Sequence, residues 1–409
     1  MKIAIIGGGP AGMMCAIAAA KGGADVTLLE KNEKLGKKMY ISGKGRCNLT
    51  NNCAVADFLQ NVVSNPKFLQ SALYRFSPQS TLDFCAENGL SVKVERGNRV
   101  FPQSDKSSDV IKTFEKALRN AGVTVQLNTQ VFSVSHSADG FVLQTSAGNQ
   151  NYDKVVVATG GYSYRATGSD GFGYTVAQSF GHSLTQPKPA LCRILCKGTK
   201  ALEGLSLKNV QVSFVQNGKT VASEFGEMLM TDDGVSGPAV LTLSSRITAL
   251  VAGNAKGNAH IAIDLKPALL EETLDERVLR DFAERMNKNF ENALDALLPA
   301  RLVAEVVRQS GISPTKKVNQ ISAAERLKVV RTLKNLVFPF VGLDDINNAI
   351  VTSGGVDVRQ IDPKTMQSKL RRGLYFVGET LDVDALTGGF NIQIALSTGY
   401  ACGMSVCEE

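Results

Sequence analysis

Three glycines near the start of the chain, Gly7, Gly9 and Gly12, sit between a short β-forming run at residues 2–6 and a small-residue, helix-forming run at 13–21. A second strand pattern at 26–29 ends on Glu30, eighteen residues beyond the third glycine. Each residue type in this spacing has physical work to do. Gly7 makes the tight turn, Gly9 lets the backbone approach a pyrophosphate, and Gly12 allows close helix packing. The helix N-terminus favours negative charge, and Glu30 is placed to accept from ribose hydroxyls. A 2′-phosphate is disfavoured at the same place, because two negative charges would meet. The opening therefore reads as the first βαβ unit of a dinucleotide-binding α/β fold.

Downstream of that unit, residues 31–52 carry Lys31, Lys34, Lys37, Lys38, Lys44 and Arg46 against Glu33 alone, which predicts a loop facing an anion. Helical periodicity follows at 66–90 and 107–121, and alternation at 123–127, 130–135 and 141–145 predicts meander strands. A buried strand at 155–158 runs into Ala-Thr-Gly-Gly at 158–161. The prolines of residues 186–191 mark a boundary. Beyond it, 191–265 is rich in β-like runs with turns at Asn217-Gly218 and Asp233-Gly234, while 267–336 is helical and charged. At 409 residues the chain exceeds one ordinary core. We read two domains, a discontinuous one at 1–190 and 342–409 and an inserted β-plus-α domain at 191–341 that covers the cofactor and selects substrate.

The second glycine-rich block, residues 373–393, decides which dinucleotide is expected. It predicts a strand at 374–377, an acid at its carboxyl end in Gly378-Glu379, and Gly388-Gly389 before a helix that starts near Asn391. FAD is long enough to use both chain ends, with its ribitol within reach of Glu379 and its ring against the last helix, whose N-terminus would stabilise charge at N1 and C2=O. No second Gly-x-Gly-x-x-Gly with a terminal acid is present, so NAD(P)H is expected only as a transient donor docking at the flavin face. The stretch at 168–174, Gly-Ser-Asp-Gly-Phe-Gly-Tyr, suits either an anion contact or simple helix initiation.

Several long segments, ISGKGRCNLTN at 41–51, ATGG at 158–161, TDDGVSGPAVLTLSS at 231–245, and VTSGGVD through TMQSKL to GGFNIQ at 351–393, closely resemble the BaiN/YhiN-type (BaiN/RdsA) flavoproteins. The resemblance covers nearly the whole chain. It implies a Rossmann-like, glutathione-reductase-like FAD-binding domain interrupted by a β-barrel-like plus helical insert. It further implies cofactor roles for Gly7, Gly9, Gly12, Glu30, Lys31, Gly43, Gly45, Arg46, Asn48, Thr159, Gly160, Gly378, Glu379, Gly389, Asn391 and Ile392. Lys44 departs from the ISGGGRCN pattern, where glycine is common, and either alters access to the flavin or adds a phosphate contact. The activity implied is an FAD-dependent oxidoreductase that takes hydride from NAD(P)H and reduces an activated carbon-carbon double bond. Substrates in the family range from steroid-like enones to a uracil of ribosomal RNA, reduced to dihydrouridine, and amine oxidation with release of hydrogen peroxide is also represented.

Cys47 stands next to Arg46, whose charge would lower the thiol pKa and fit it to deliver a proton to substrate; a small side chain packed under the flavin is the other reading. The eight cysteines form no Cys-x-x-Cys pair, and the Cys192/Cys196 run has no nearby histidine, so neither a metal site nor a disulfide scaffold is expected. His136, His182 and His260 read as surface or capping residues. Residues 316–334 carry Lys316, Lys317, Arg326, Lys328, Arg331 and Lys334 against Glu325 alone, which suits either RNA phosphates or a solvated face. A net charge of +7 is mild for this length and excludes a nucleic-acid-binding tail. Glycines and a proline interrupt the apolar N-terminal run, and no run reaches the roughly 18 apolar residues of a membrane span. A cytoplasmic protein acting on a small molecule or an RNA base, with ribosomal RNA a candidate partner, is the expectation.

Overall fold

Apolar runs too short for helices become the parallel strands of one sheet. In the computed structural model, which describes residues 1–138, 140–251 and 258–408, these are β1 (Lys2–Ile6), β2 (Asp25–Leu29), β3 (Thr124–Gln126), β4 (Lys154–Val157) and β5 (Leu374–Phe376). They pair in the order β5-β4-β1-β2-β3, every neighbour parallel. β4 is buried at all of its residues, as a strand covered on both faces must be. Helix α1 (Pro10–Lys21) links β1 to β2 and is buried from Ala11 to Ala19. The last helix, α2 (Phe390–Ser405), packs on α1, with Gly399 against the Ala11 backbone and Gly403 against that of Cys15. The two ends of the chain thus build one unit, Met1–Ala190 with Asp345–Glu409.

One sheet assignment changes. Residues 123–127 were expected in the meander, yet β3 joins the parallel sheet beside β2, because the helix Ser107–Asn120 just before it acts as a crossover. Alternation along a strand does not say which sheet the strand joins. The antiparallel meander is instead Val131–Ser137, Gly140–Thr145 and Gly148–Tyr152.

Leu191–Asp344 forms the second unit. Its strands Ile194–Cys196, Gly234–Ser236, Lys219–Thr231, Ser206–Gln216, Ala259–Asp264 and Leu336–Leu343 close in that order into an antiparallel barrel. Asn217 and Gly218 both have positive φ, 51° and 75°, as a two-residue hairpin turn requires. Within the stretch read as β-rich, Pro238–Val251 is a helix; Val240, Leu243 and Ile247 recur at helical spacing and face the core. Residues 252–257 of the same stretch lie outside the described residues. The helices Glu271–Ala283, Ala300–Ser310 and Ala323–Lys334 bury Leu274, Val278, Leu302, Val306, Val329 and Leu333 in the second core. No helix among the described residues is long and apolar enough to cross a membrane.

Candidate functional site

At the carboxyl end of β1, the glycines divide their tasks. A Cβ on Gly12 would overlap the Gly7 carbonyl oxygen, so the fold itself demands glycine there. A Cβ on Gly9 would meet nothing within 4 Å. Gly9 caps α1 with no side-chain hydrogen bond, and Pro10 follows as the first helical residue, which leaves open space beside amides that favour an anion. Glu30 is buried at the end of β2. Its carboxylate accepts from the Gly8 amide at 2.8 Å, the Asn32 amide at 2.8 Å and the Asn32 side chain at 2.7 Å. A carboxylate has about four lone-pair sites, so one acceptor direction remains for a ribose hydroxyl. Lys31 pairs with Asp170 at 2.6 Å.

The basic stretch is less a loop than a helix followed by a tight coil. Lys37–Ile41 is helical, and Gly43, Lys44, Gly45 and Cys47 then take φ of 57°, 59°, 83° and 61°. Arg46 turns to Glu95 at 2.8 Å and Asp105 at 3.2 Å, with its guanidinium 4.0 Å from the centre of the Phe101 ring. The Cys47 side chain is 0% exposed, and burial pushes its thiol up to about 12, only partly opposed by a hydrogen bond with Ser42. The expected thiolate beside Arg46 is therefore corrected: the arginine charge is taken up by two acids, and desolvation dominates at the sulfur. Protein atoms alone cover that sulfur. Turned so that its nitrogen faces the Thr50 and Val100 carbonyls at 3.2 Å each, the Asn48 carboxamide accepts from the Gly389 amide at 3.0 Å.

That contact brings the C-terminal block to the N-terminal loop. Gly389, at φ 99°, lies so close to Thr50 that a Cβ would overlap the Thr50 carbonyl oxygen, and Asn51 donates to the Gly388 carbonyl at 3.1 Å. Gly378 lies against Ala11 of α1, its amide donating to Thr398 at 3.0 Å. Glu379 accepts from Lys38 at 2.7 Å, Ser163 at 3.0 Å and the Thr352 amide at 2.8 Å, and its Oε2 stands 3.8 Å from where a Cβ of Gly160 would be. Lys38, Ser163 and Thr352 are thus members of the site that sequence reasoning did not single out as cofactor residues. Lys38 had a signal, its place in the basic stretch. Asn391 holds the preceding turn, bonding both the amide and the carbonyl of Ala385 at 2.9 and 2.7 Å, and Ile392 beside it is half-buried. Among the described residues, the buried hydroxyls of Thr50 and Thr159 have no hydrogen-bond partner. The open cradle at Gly9, with the remaining acceptor direction on Glu30, makes this arrangement suited to a dinucleotide.

Elsewhere, the structure places two further groups of residues singled out from the sequence. His182 is a capping and not a surface residue: its amide donates to the Ala177 carbonyl at 2.9 Å just past the helix Phe172–Ser179, and its side chain is buried, with Nε2 2.7 Å from the Ser368 hydroxyl, the ring against Phe376 and the pKa lowered by burial. In the basic segment, Lys316 pairs with Glu325 at 2.7 Å, Arg326 with Asp275 at 2.7 Å and Lys334 with Asp264 at 2.6 Å. Lys328 and Arg331 remain exposed.

Comparison with known proteins extends the geometry. Residues 1–405 match the family model described as HI0933-like protein Rossmann domain. A 3-dehydro-bile acid delta(4,6)-reductase of Clostridium scindens is 32% identical, over 100% of this chain and 99% of its own. A ribosomal RNA dihydrouridine synthase of Escherichia coli is 31% identical, over 98% and 97%. Among solved structures, a 3-ketosteroid-delta4-(5alpha)-dehydrogenase from Rhodococcus jostii superposes with a TM-score of 0.50 at 16% identity, covering 100% of this chain and 96% of that one.

Proposed function

The chain belongs to the HI0933-like family and is an FAD-dependent oxidoreductase, and from that premise we propose that it uses NAD(P)H to reduce an electron-poor carbon-carbon double bond in a small molecule. One observation carries the reading. Two full-length relatives with different substrates, a delta(4,6)-reductase and a dihydrouridine synthase, bear names that denote the same chemistry, hydrogen added across a double bond conjugated to a carbonyl. FAD, when bound, supplies the hydride chemistry.

The chain's own residues supply position and charge. Gly9 and the start of α1 would take the pyrophosphate, and Glu30 would accept from the adenosine ribose. The Glu379 carboxylate, held by Lys38, Ser163 and the Thr352 amide, fixes the segment that leads to α2. The α2 N-terminus, reached through Gly389, favours negative charge developing beside it. We assign these roles together with Gly7, Gly12, Thr159, Gly160 and Gly378 as the cofactor frame. An RNA substrate is the second reading, favoured by the dihydrouridine synthase relative. Internal pairing favours the small molecule, because four of the six cations of that segment already have protein acceptors: Lys316, Arg326 and Lys334 on carboxylates, and Lys317 on the Asn287 carbonyl at 3.1 Å. All eight cysteines are free, which supports a reducing, cytoplasmic setting.

The test is an anaerobic titration of the FAD-loaded protein with NADH and with NADPH, following the oxidised flavin band. Bleaching by either, and its return on adding a conjugated enone, is the expected result. A flavin that neither nucleotide bleaches overturns the donor. Bleaching without reoxidation across a panel of enones, but with reoxidation by a uracil-containing RNA, moves the substrate to RNA.

A further inference from the structure

Six basic residues lie between positions 31 and 46, and among the described residues five of them have a partner. Lys31 pairs with Asp170, Lys37 with Glu33, Lys38 with Glu379, and Arg46 with Glu95 and Asp105. Lys34 lies over the Tyr40 ring, 4.5 Å from its centre. Lys44 has no hydrogen bond, ion pair or ring contact among the described residues, and it is exposed. Its backbone is equally unusual. At φ 59° and ψ 43° it occupies the left-handed region between two glycines that occupy it too. A glycine would adopt this conformation without the crowding between Cβ and backbone that lysine incurs. Among the described residues the fold gains no polar or ring contact from the side chain, and the backbone carries its strain. The same coil leads within four residues to Asn48, which bonds the amide of Gly389 at the start of α2.

We propose that Lys44 is a specificity residue that binds an oxyanion, a carboxylate or a phosphate, on a reactant entering the cofactor site; this rests on the reductase reading given above. An ammonium on a flexible stem with three donors suits a mobile oxyanion better than a fixed planar one. Neighbouring cations cannot substitute for it, since each is already held by a protein acceptor or ring. The reactant is thereby selected for a negative charge at a distance from the reacting double bond, and a neutral analogue of the same shape loses that contact.

The test uses the FAD-loaded protein and its Lys44→Gly and Lys44→Arg variants. Calorimetric titration with inorganic phosphate at constant ionic strength is independent of turnover, so it stands even if NAD(P)H fails as donor. The wild type is expected to show saturable binding, weakened roughly tenfold or more in Lys44→Gly and recovered to within about threefold in Lys44→Arg. Thermal stability of Lys44→Gly should be equal or higher, since strain is relieved. Equal phosphate affinity in wild type and Lys44→Gly, or no saturable binding to the wild type, overturns the proposal. The source of the oxyanion is then read from KM. A rise confined to NADPH, with NADH unaffected, assigns it to the donor's phosphate; a rise for a carboxylate-bearing enone but not for its methyl ester assigns it to the substrate. Unchanged KM for all four removes Lys44 from specificity.

Discussion

With the Cys47 sulfur wholly enclosed by protein and its thiol pushed up to about 12 by burial, a proton is held tightly at this atom. Its φ of 61° places it in the same left-handed coil as Gly43 and Gly45, so its task is to fill space at a turn that few side chains tolerate. Replacing Cys47 with Ala should leave FAD content unchanged and turnover within about twofold, with a stability loss of about 1 kcal/mol for the small cavity. Steady-state rates and chemical unfolding read the two effects separately. A fall in turnover of a hundredfold with FAD still bound would restore the proton-donor role. The same turn explains Arg46: adjacent positions in a tight coil point apart, and its guanidinium ends on Glu95 and Asp105 instead of on the sulfur.

At the level of elements, the strand-glycine-helix unit makes a prediction that separates folding from binding. Gly12 is fixed by contact, since a Cβ would overlap the Gly7 carbonyl oxygen, whereas Gly9 faces open space. Gly12→Ala should therefore destabilise the protein by about 2 kcal/mol or more, while Gly9→Ala should fold with near wild-type stability and lose FAD affinity. Apo-protein melting and FAD fluorescence titration distinguish them, and a Gly9→Ala protein that retains full FAD affinity would refute the pyrophosphate placement. These elements were legible in the sequence because local signals agree with the fold: β1, α1, β2 and Glu30 follow from spacing alone, and β5 and α2 from the second glycine block. Less legible were elements whose partners lie far along the chain. Nothing local says that β3 sits beside β2, or that Lys38 reaches Glu379, 341 residues away. The helix Pro238–Val251 was hidden because Val, Leu, Thr and Ile dominate its sequence, and only the 3-to-4-residue spacing of its buried positions betrays it. The basic helix Ala323–Lys334 shows the opposite limit, since charge can be counted from sequence but pairing cannot.

Taken as a whole, the molecule buries thiols in both units, and this gives its stability a pH dependence of definite sign. Burial pushes Cys47, Cys85 and Cys196 up to about 12 and Cys192 up to about 11. In the unfolded chain each titrates near its ordinary value of about 8.5. Below that value both states hold the proton and the thiols' contribution is fully present. Between it and the folded value the unfolded chain has released protons that the native state retains. Native protein then binds more protons than unfolded protein, and stability falls as pH rises. Each such thiol steepens the fall by up to about 1.4 kcal/mol per pH unit. Because Cys85 lies in the core built around the parallel sheet and Cys196 in the core of the barrel, the loss acts on both units. Chemical unfolding measured from pH 7 to 11 should show little contribution from these groups up to about pH 8.5 and a growing one above it. In a Cys85→Ala, Cys196→Ala double variant the alkaline slope should be shallower, although the variant is less stable at neutral pH. If the two proteins lose stability in parallel, the thiols are not the groups that couple folding to alkaline pH.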